Sequence, residues 1–242
     1  MGIIKKYTRK VLIASGDSWT AGSDQQKLDS FPYWPEILAD KLDMNFINVG
    51  LGGKGNEFIY ARMIDKLCET KKIGLSVCLW SHVDRWDLWK WTFPINPKYR
   101  NNINHWRYYE RHKKFIDALH EHGDLVDGGY NLLKSIRWYH AFQNHCELQN
   151  IPYLQMQSFN SGPDMFRKEL FDSRQFDFIK DNKFVGWPMY RRLGGSTMWD
   201  ELDDVDPEQV KLRVSKEDLH PNGEGHEYMA EILYDKYMEI YK

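Results

Sequence analysis

Four short apolar runs constrain the fold of this chain more than any other feature. They are Val11–Ala14 (VLIA), Asn45–Val49 (NFINV), Gly74–Trp80 (GLSVCLW) and Pro152–Gln157 (PYLQMQ). Runs this short and this apolar read as strands buried on both faces, the condition of a parallel sheet covered by helices. The segments between them have helical spacing. Pro35–Leu42 reads as a helix with Pro35 in its first turn. Asn56–Cys68 places Phe58, Ile59, Met63, Ile64 and Leu67 at helical intervals. Tyr130–Gln149 does so with Leu133, Ile136, Arg137, His140 and Asn144, and Pro221–Tyr241 with Met229, Ile232, Leu233, Tyr237 and Ile240. Strands alternating with helices predict an α/β fold: three layers, an open and mostly parallel sheet, helices on both faces. Sites in such sheets lie beyond the carboxyl ends of the strands, at the switch point. Two stretches break the alternation. Trp80–Gly129 is irregular, aromatic and charged, with a helix predicted around Tyr108–Glu121, and Phe159–Asp206 is aromatic and polar with little periodicity.

The 242 residues suit a single domain spanning 1–242, large enough to build a core without metals or disulfides. The formal net charge of −2 carries neither the basic excess expected of a nucleic-acid binder nor an acidic tail. Val11–Ala14 is too short for the core of a signal peptide, and no run approaches the roughly 18 apolar residues of a membrane span. A cytoplasmic protein is the expectation, with a virion-associated one as the alternative, no membrane partner, and oligomerisation left open. Cys68, Cys78 and Cys146 are odd in number and lack metal-ligand spacing, so buried free thiols in a reducing compartment are expected.

Three motifs fall where such a sheet would place its site. Ser15-Gly16-Asp17-Ser18-Trp19 follows the first strand, so Ser18 would stand at a strand-to-helix turn with its hydroxyl at the carboxyl edge. A following helix would lend its positive end to an oxyanion. Alone, such a cluster reads equally as a turn or a helix cap. Asn48-Val49-Gly50-Leu51-Gly52-Gly53-Lys54-Gly55 follows the second strand. Its glycines would let the backbone approach a ligand. A plain structural loop remains open, whereas a dinucleotide loop would follow the first strand. Glu217-Asp218-Leu219-His220-Pro221 opens the last helix. An acid two or three positions before a histidine can accept from one ring nitrogen and leave the other free to take a proton from a serine. The bland alternative is a helix start with an acidic first turn.

Taken together and in this order, the three motifs resemble the blocks of the SGNH (GDSL) hydrolase superfamily, in a divergent form similar to phage-encoded members. The resemblance implies a flavodoxin-like sheet and a serine esterase that needs no cofactor. Ser18 would be the nucleophile and His220 the base, with the backbone N–H groups of Ser18 and Gly53 forming an oxyanion hole. Asp218 is the expected acid and Glu217, at the family's commoner spacing, its rival. One block departs. Where the family carries an asparagine after the third strand, this chain reads Trp80-Ser81-His82-Val83-Asp84-Arg85, and His82 is the candidate replacement donor. That departure keeps open a binding or structural protein on the same scaffold, such as a virion component. An acyltransferase using the same triad is the third reading.

His226 is expected to pack or cap a helix. The remaining histidines show no H-E-x-x-H pattern, so no metal is expected. Aromatic residues make up 15% of the chain, with 10 Trp. Trp80, Trp86, Trp89, Trp91, Phe93 and Trp106 follow the third strand, and Phe178, Phe184, Trp187, Tyr190 and Trp199 the fourth. They would either wall a groove for a sugar or acyl group or pack among themselves. Arg85, Arg191 and Arg192 are expected as solvated surface, with an anionic substrate as the alternative. The substrate expected is a small-molecule or glycan ester, with O-acylated carbohydrate first.

Overall fold

The computed structural model describes residues 9–22, 31–88, 91–94, 128–159, 172 and 174–242. Its strands are β1 (Val11–Gly16), β2 (Asn45–Asn48), β3 (Ile73–Trp80), β4 (Arg85–Leu88), β5 (Trp91–Pro94), β6 (Tyr153–Gln157) and β7 (Phe184–Val185). Its helices are α1 (Ser18–Ala21), α2 (Trp34–Lys41), α3 (Asn56–Glu69), α4 (Gly128–Leu148), α5 (Met198–Val205) and α6 (Gly223–Tyr241).

The main sheet has five strands in the order β2-β1-β3-β6-β7, all paired in parallel. This is the flavodoxin-like order, and its switch point lies between β1 and β3. The apolar runs form strands because both faces are covered. On one face Val11, Ile13, Cys78, Trp80 and Tyr153 pack with Ile59 and Met63 of α3 and Ile136, Tyr139 and Phe142 of α4. On the other, Leu12, Ala14, Leu75, Val77, Leu79, Leu154 and Met156 pack with α2, α5 and α6 through Trp34, Leu38, Met198, Leu202, Met229 and Leu233. Alternate residues of one strand thus serve opposite cores, the period-two geometry of the pleat.

Several expectations are corrected. Phe159–Asp206 is not featureless. It holds α5, opened by a capping box in which Thr197 and Asp200 bond each other's backbone N–H, and the short edge strand β7. The stretch after β3 makes an antiparallel hairpin, β4–β5. Cys68 is exposed, because it lies on the outer side of α3, whereas Cys78 and Cys146 are buried. Burial pushes the Cys78 thiol well up and that of Cys146 up to about 12, so both stay protonated. The helix expected around Tyr108–Glu121, and the side chains of Trp89, Trp91, Phe93 and Trp106, lie outside the described residues. No described helix is long and apolar enough to cross a membrane.

Candidate active site

β1 ends at Gly16, and Asp17 caps a single helical turn that begins with Ser18. The Asp17 carboxylate accepts from Trp19 N–H at 3.0 Å, and its carbonyl accepts from Thr20 and Ala21 at 3.0 and 2.9 Å. As the first helical residue, Ser18 has a backbone N–H with no intrahelical acceptor, so it remains available to a ligand. The helix expected to lend its macrodipole is one turn long. Any electrostatic help therefore comes from individual N–H groups.

The other half of the site comes from the far end of the chain. The Ser18 hydroxyl lies 2.8 Å from His220 Nε2, across 202 residues of sequence. His220 Nδ1 lies 2.5 Å from Asp218 Oδ1, which also accepts from the His220 backbone N–H at 3.1 Å. A carboxylate against Nδ1 selects the tautomer with its proton there and leaves Nε2 as the acceptor facing Ser18. Glu217 goes elsewhere: exposed, it takes the Ser215 hydroxyl at 3.0 Å.

Local bonds shape the His220 loop. Val214 N–H donates to His220 O at 2.9 Å, Ser215 N–H to Asp218 O at 3.0 Å, and Asp218 N–H to Ser215 Oγ at 3.0 Å. Asn222 caps α6 through Gly225 N–H and ties the loop's base by donating to Lys211 O and Arg213 O. Arg213, 1% exposed, fastens this loop to the nucleophile turn. Its guanidinium lies 5.0 Å from the ring centre of Trp19 and 4.9 Å from that of Trp199, and it pairs with Asp203 at 2.8 Å.

The glycine loop closes the third side. Asn48 donates to Thr20 O at 2.6 Å and accepts from Gly50 N–H at 2.9 Å, which joins this loop to α1. A Cβ on Gly52 would lie 3.6 Å from Ser18 Cβ, and the next residue, Gly53, has φ +74 and borders open space, since a Cβ there would meet nothing within 4 Å.

Some of the side chains that organise the site escaped the sequence reading. Asp17, fully buried, accepts from Ser81 Oγ at 2.8 Å and from Arg85 Nη1 at 2.8 Å. Ser81 N–H in turn donates to Asn56 Oδ1 at 2.7 Å, and Ser81 O accepts from Gln157 at 2.7 Å. Arg85 is thus neither solvated surface nor unpaired. Arg191, by contrast, is exposed as expected, although it pairs with Asp200 and Asp204. A weak signal existed, since Arg85 and Asp87 alternate along a strand that leaves the sheet at its carboxyl edge. His82 follows Ser81. Burial, with Arg85 nearby, lowers its pKa to about 4, so it is uncharged near neutral pH. His226 is buried, accepts from Trp34 N–H at 3.4 Å at the start of α2, and packs 5.1 Å from Tyr33. Burial, followed by His220, lowers its pKa to about 3.

The described aromatic residues mostly pack. Trp80, Phe184 and Tyr190 are core, and Trp86 donates to Asn131 at 2.6 Å. Phe159 and Trp199, both half-buried, meet Trp19 at ring distances of 4.9 and 5.5 Å. Among the described residues no group of three or more His, Cys, Asp or Glu is arranged to hold a metal.

No family model matches the chain, and no curated protein does. Solved structures to which it is similar include a lipolytic G-D-S-L family protein from Veillonella parvula DSM 2008, at 14% identity over 96% of this chain and 98% of that one, TM-score 0.42. The esterase EstA from Pseudoalteromonas sp. is 16% identical over 95% and 97%, TM-score 0.47. A carbohydrate esterase family 2 enzyme with a carbohydrate-binding domain, from Corynascus thermopiles (Myceliophthora fergusii), is 12% identical over 95% of this chain and 66% of that one, TM-score 0.49. At these values the chemistry has to be read from this chain's own side chains.

Proposed function

We propose that this chain is a serine ester hydrolase of the SGNH (GDSL) kind, working through an acyl-enzyme. The observation that carries the reading is the relay Ser18–His220–Asp218, at 2.8 and 2.5 Å. Both contacts are short enough for proton transfer and for orientation of the base. His220 Nε2 takes the Ser18 proton as Oγ attacks the ester carbonyl carbon. The carbonyl electron pair moves onto oxygen, where the N–H groups of Ser18 and Gly53 receive the charge. His82, next to the Ser81 that bonds Asp17, is the proposed stand-in for the missing asparagine. Collapse of the tetrahedral intermediate expels the alkoxide, which leaves with the proton from His220. Water, deprotonated by the same ring, then attacks the acyl-serine and releases the acid. No step calls for a cofactor.

O-acylated carbohydrate is the substrate class favoured. The half-buried rings of Phe159 and Trp199, packed on the buried Trp19 that follows Ser18, are the surface proposed to meet a sugar or short acyl group.

The deciding experiment is a fluorophosphonate probe on folded protein. Labelling of wild type at Ser18, lost in His220→Ala, is expected together with acetate release from acetylated saccharides. An unlabelled, folded wild type overturns the mechanism. Glycan binding unchanged in Ser18→Ala, without hydrolysis, would instead mark a binding protein. Acyl transfer to an added alcohol in preference to water would mark an acyltransferase.

A further inference from the structure

We infer that Arg85 and Asp87, alternate residues of β4, are positioning residues that hold the Gly53 loop at its working distance from Ser18. The inference rests on the oxyanion role proposed for Gly53. Arg85 Nη1 reaches three acceptors: Asp17 Oδ2 at 2.8 Å, Ser81 Oγ at 2.6 Å and Lys54 O at 3.2 Å. The first lies in the turn that presents Ser18, and the last lies one residue beyond Gly53. A single guanidinium therefore bridges the two segments whose N–H groups must converge on one oxygen. Asp87 holds the next atoms along. Its carboxylate accepts from Gly55 N–H at 3.0 Å and Phe58 N–H at 2.9 Å, capping an α3 whose own N-cap residue, Gly55, has no side chain to do so.

The 54–55 peptide is thus gripped at its carbonyl by Arg85 and at its N–H by Asp87. Residues two apart on a strand point to the same face, which is why one short strand can supply both grips. Gly55 supports this independently. A Cβ there would lie 2.8 Å from Arg85 O and 2.8 Å from Asp87 Oδ2, so the close approach of hairpin to loop admits only glycine. Half-buried Arg85 and buried Asp17 form an ion pair inside this clamp, where it also sets the Asp17 cap beneath Ser18.

The test compares Arg85→Lys, Arg85→Ala, Asp87→Asn and Asp87→Ala with wild type, on a p-nitrophenyl ester. Loss of one oxyanion donor costs about 10²–10³ in kcat, so displacing the Gly53 loop should cost up to that amount. The expected pattern is a fall in kcat with KM nearly constant, larger for each alanine than for its conservative partner. Amide hydrogen exchange over residues 50–58 should speed up in Asp87→Ala while the His220 loop keeps its protection. Wild-type kcat in both alanine variants, or a loss expressed in KM alone, overturns the inference. Where Arg85→Ala does not fold, because Asp17 is left buried without a cation, the Asp87 pair decides. If wild type itself neither labels nor turns over, the proposed function falls on its own. The clamp is then judged by exchange, and unchanged protection over 50–58 in Asp87→Ala refutes it.

Discussion

Two loops meet at Ser18, and they are held in opposite ways. The loop carrying His220 is braced mainly by its own residues. Ser215, Asp218 and Asn222 bond atoms within about ten positions of themselves, while Arg213 reaches out to Trp19 and Trp199. The loop carrying Gly53 has few side chains of its own, so its fastening comes largely from elsewhere: Arg85 and Asp87 from a hairpin, and Thr20 through Asn48. A base needs a fixed ring, which short bonds between neighbours can supply. An oxyanion hole needs bare backbone. A segment stripped of side chains to expose its N–H groups has to borrow its rigidity.

The contrast can be broken most severely at the point both loops serve. Ser18→Ala should lower kcat by about 10⁵–10⁶, measured with an activated ester in single-turnover format. After that loss no variant in the His220 loop should lower the rate further, whereas the residual rate should still depend on the Gly53 loop. Next comes the locally braced side. Asp218→Asn should cost about 10⁴ in kcat, because an amide offers Nδ1 the wrong partner for the productive tautomer. Glu217→Gln should stay near wild type, and a larger loss there than at Asp218 would reassign the acid. A smaller effect sharpens the borrowed side. Gly55→Ala must push apart the hairpin and the loop, costing about 1–3 kcal/mol in urea unfolding, whereas Gly53→Ala should cost only about 1 kcal/mol, for its positive φ. Equal costs would show that the hairpin does not press on the loop.

The gentlest probe is pH. His82 and His226 titrate at about 4 and about 3 in the folded chain, against about 6.5 when unfolded. Between those values the unfolded state binds more protons, so both histidines contribute stability above pH 6.5 that is lost as pH falls toward 4. Urea unfolding at pH 7 and pH 5 should show that loss. In His226→Gln the pH dependence should weaken by about one proton, and an unaltered slope would contradict the buried, neutral ring.

Much of the scaffold was legible because burial on both faces leaves an unbroken apolar run, as in Val11–Ala14 and Gly74–Trp80. β7 was not, since two residues carry no periodicity, nor was α5, whose eight residues offered only the Thr197–Asp200 cap as a signal. In the site, Ser18, Asp218 and His220 stood out because an acid and a histidine two positions apart, and a serine directly after a strand, are local patterns. Asp17 and Arg85 are 68 residues apart, and nothing near either one announces the other. Arg85 accordingly read as surface, and Cys68 as buried, until the sheet and α3 set which side faced inward.

What the amino-acid order determined by itself was the set of elements and their sequence, because hydrophobic period and turn residues act over a few positions. It put two acids within reach of His220, Asp218 and Glu217, and the folded loop chose Asp218. Only the tertiary structure decided that an early hydroxyl and a late imidazole face each other, and that a hairpin grips the glycine loop between them. Those contacts join segments far apart in the chain. They exist only once the cores on the two faces of the sheet have closed and removed the water that would otherwise solvate Asp17 and Arg85.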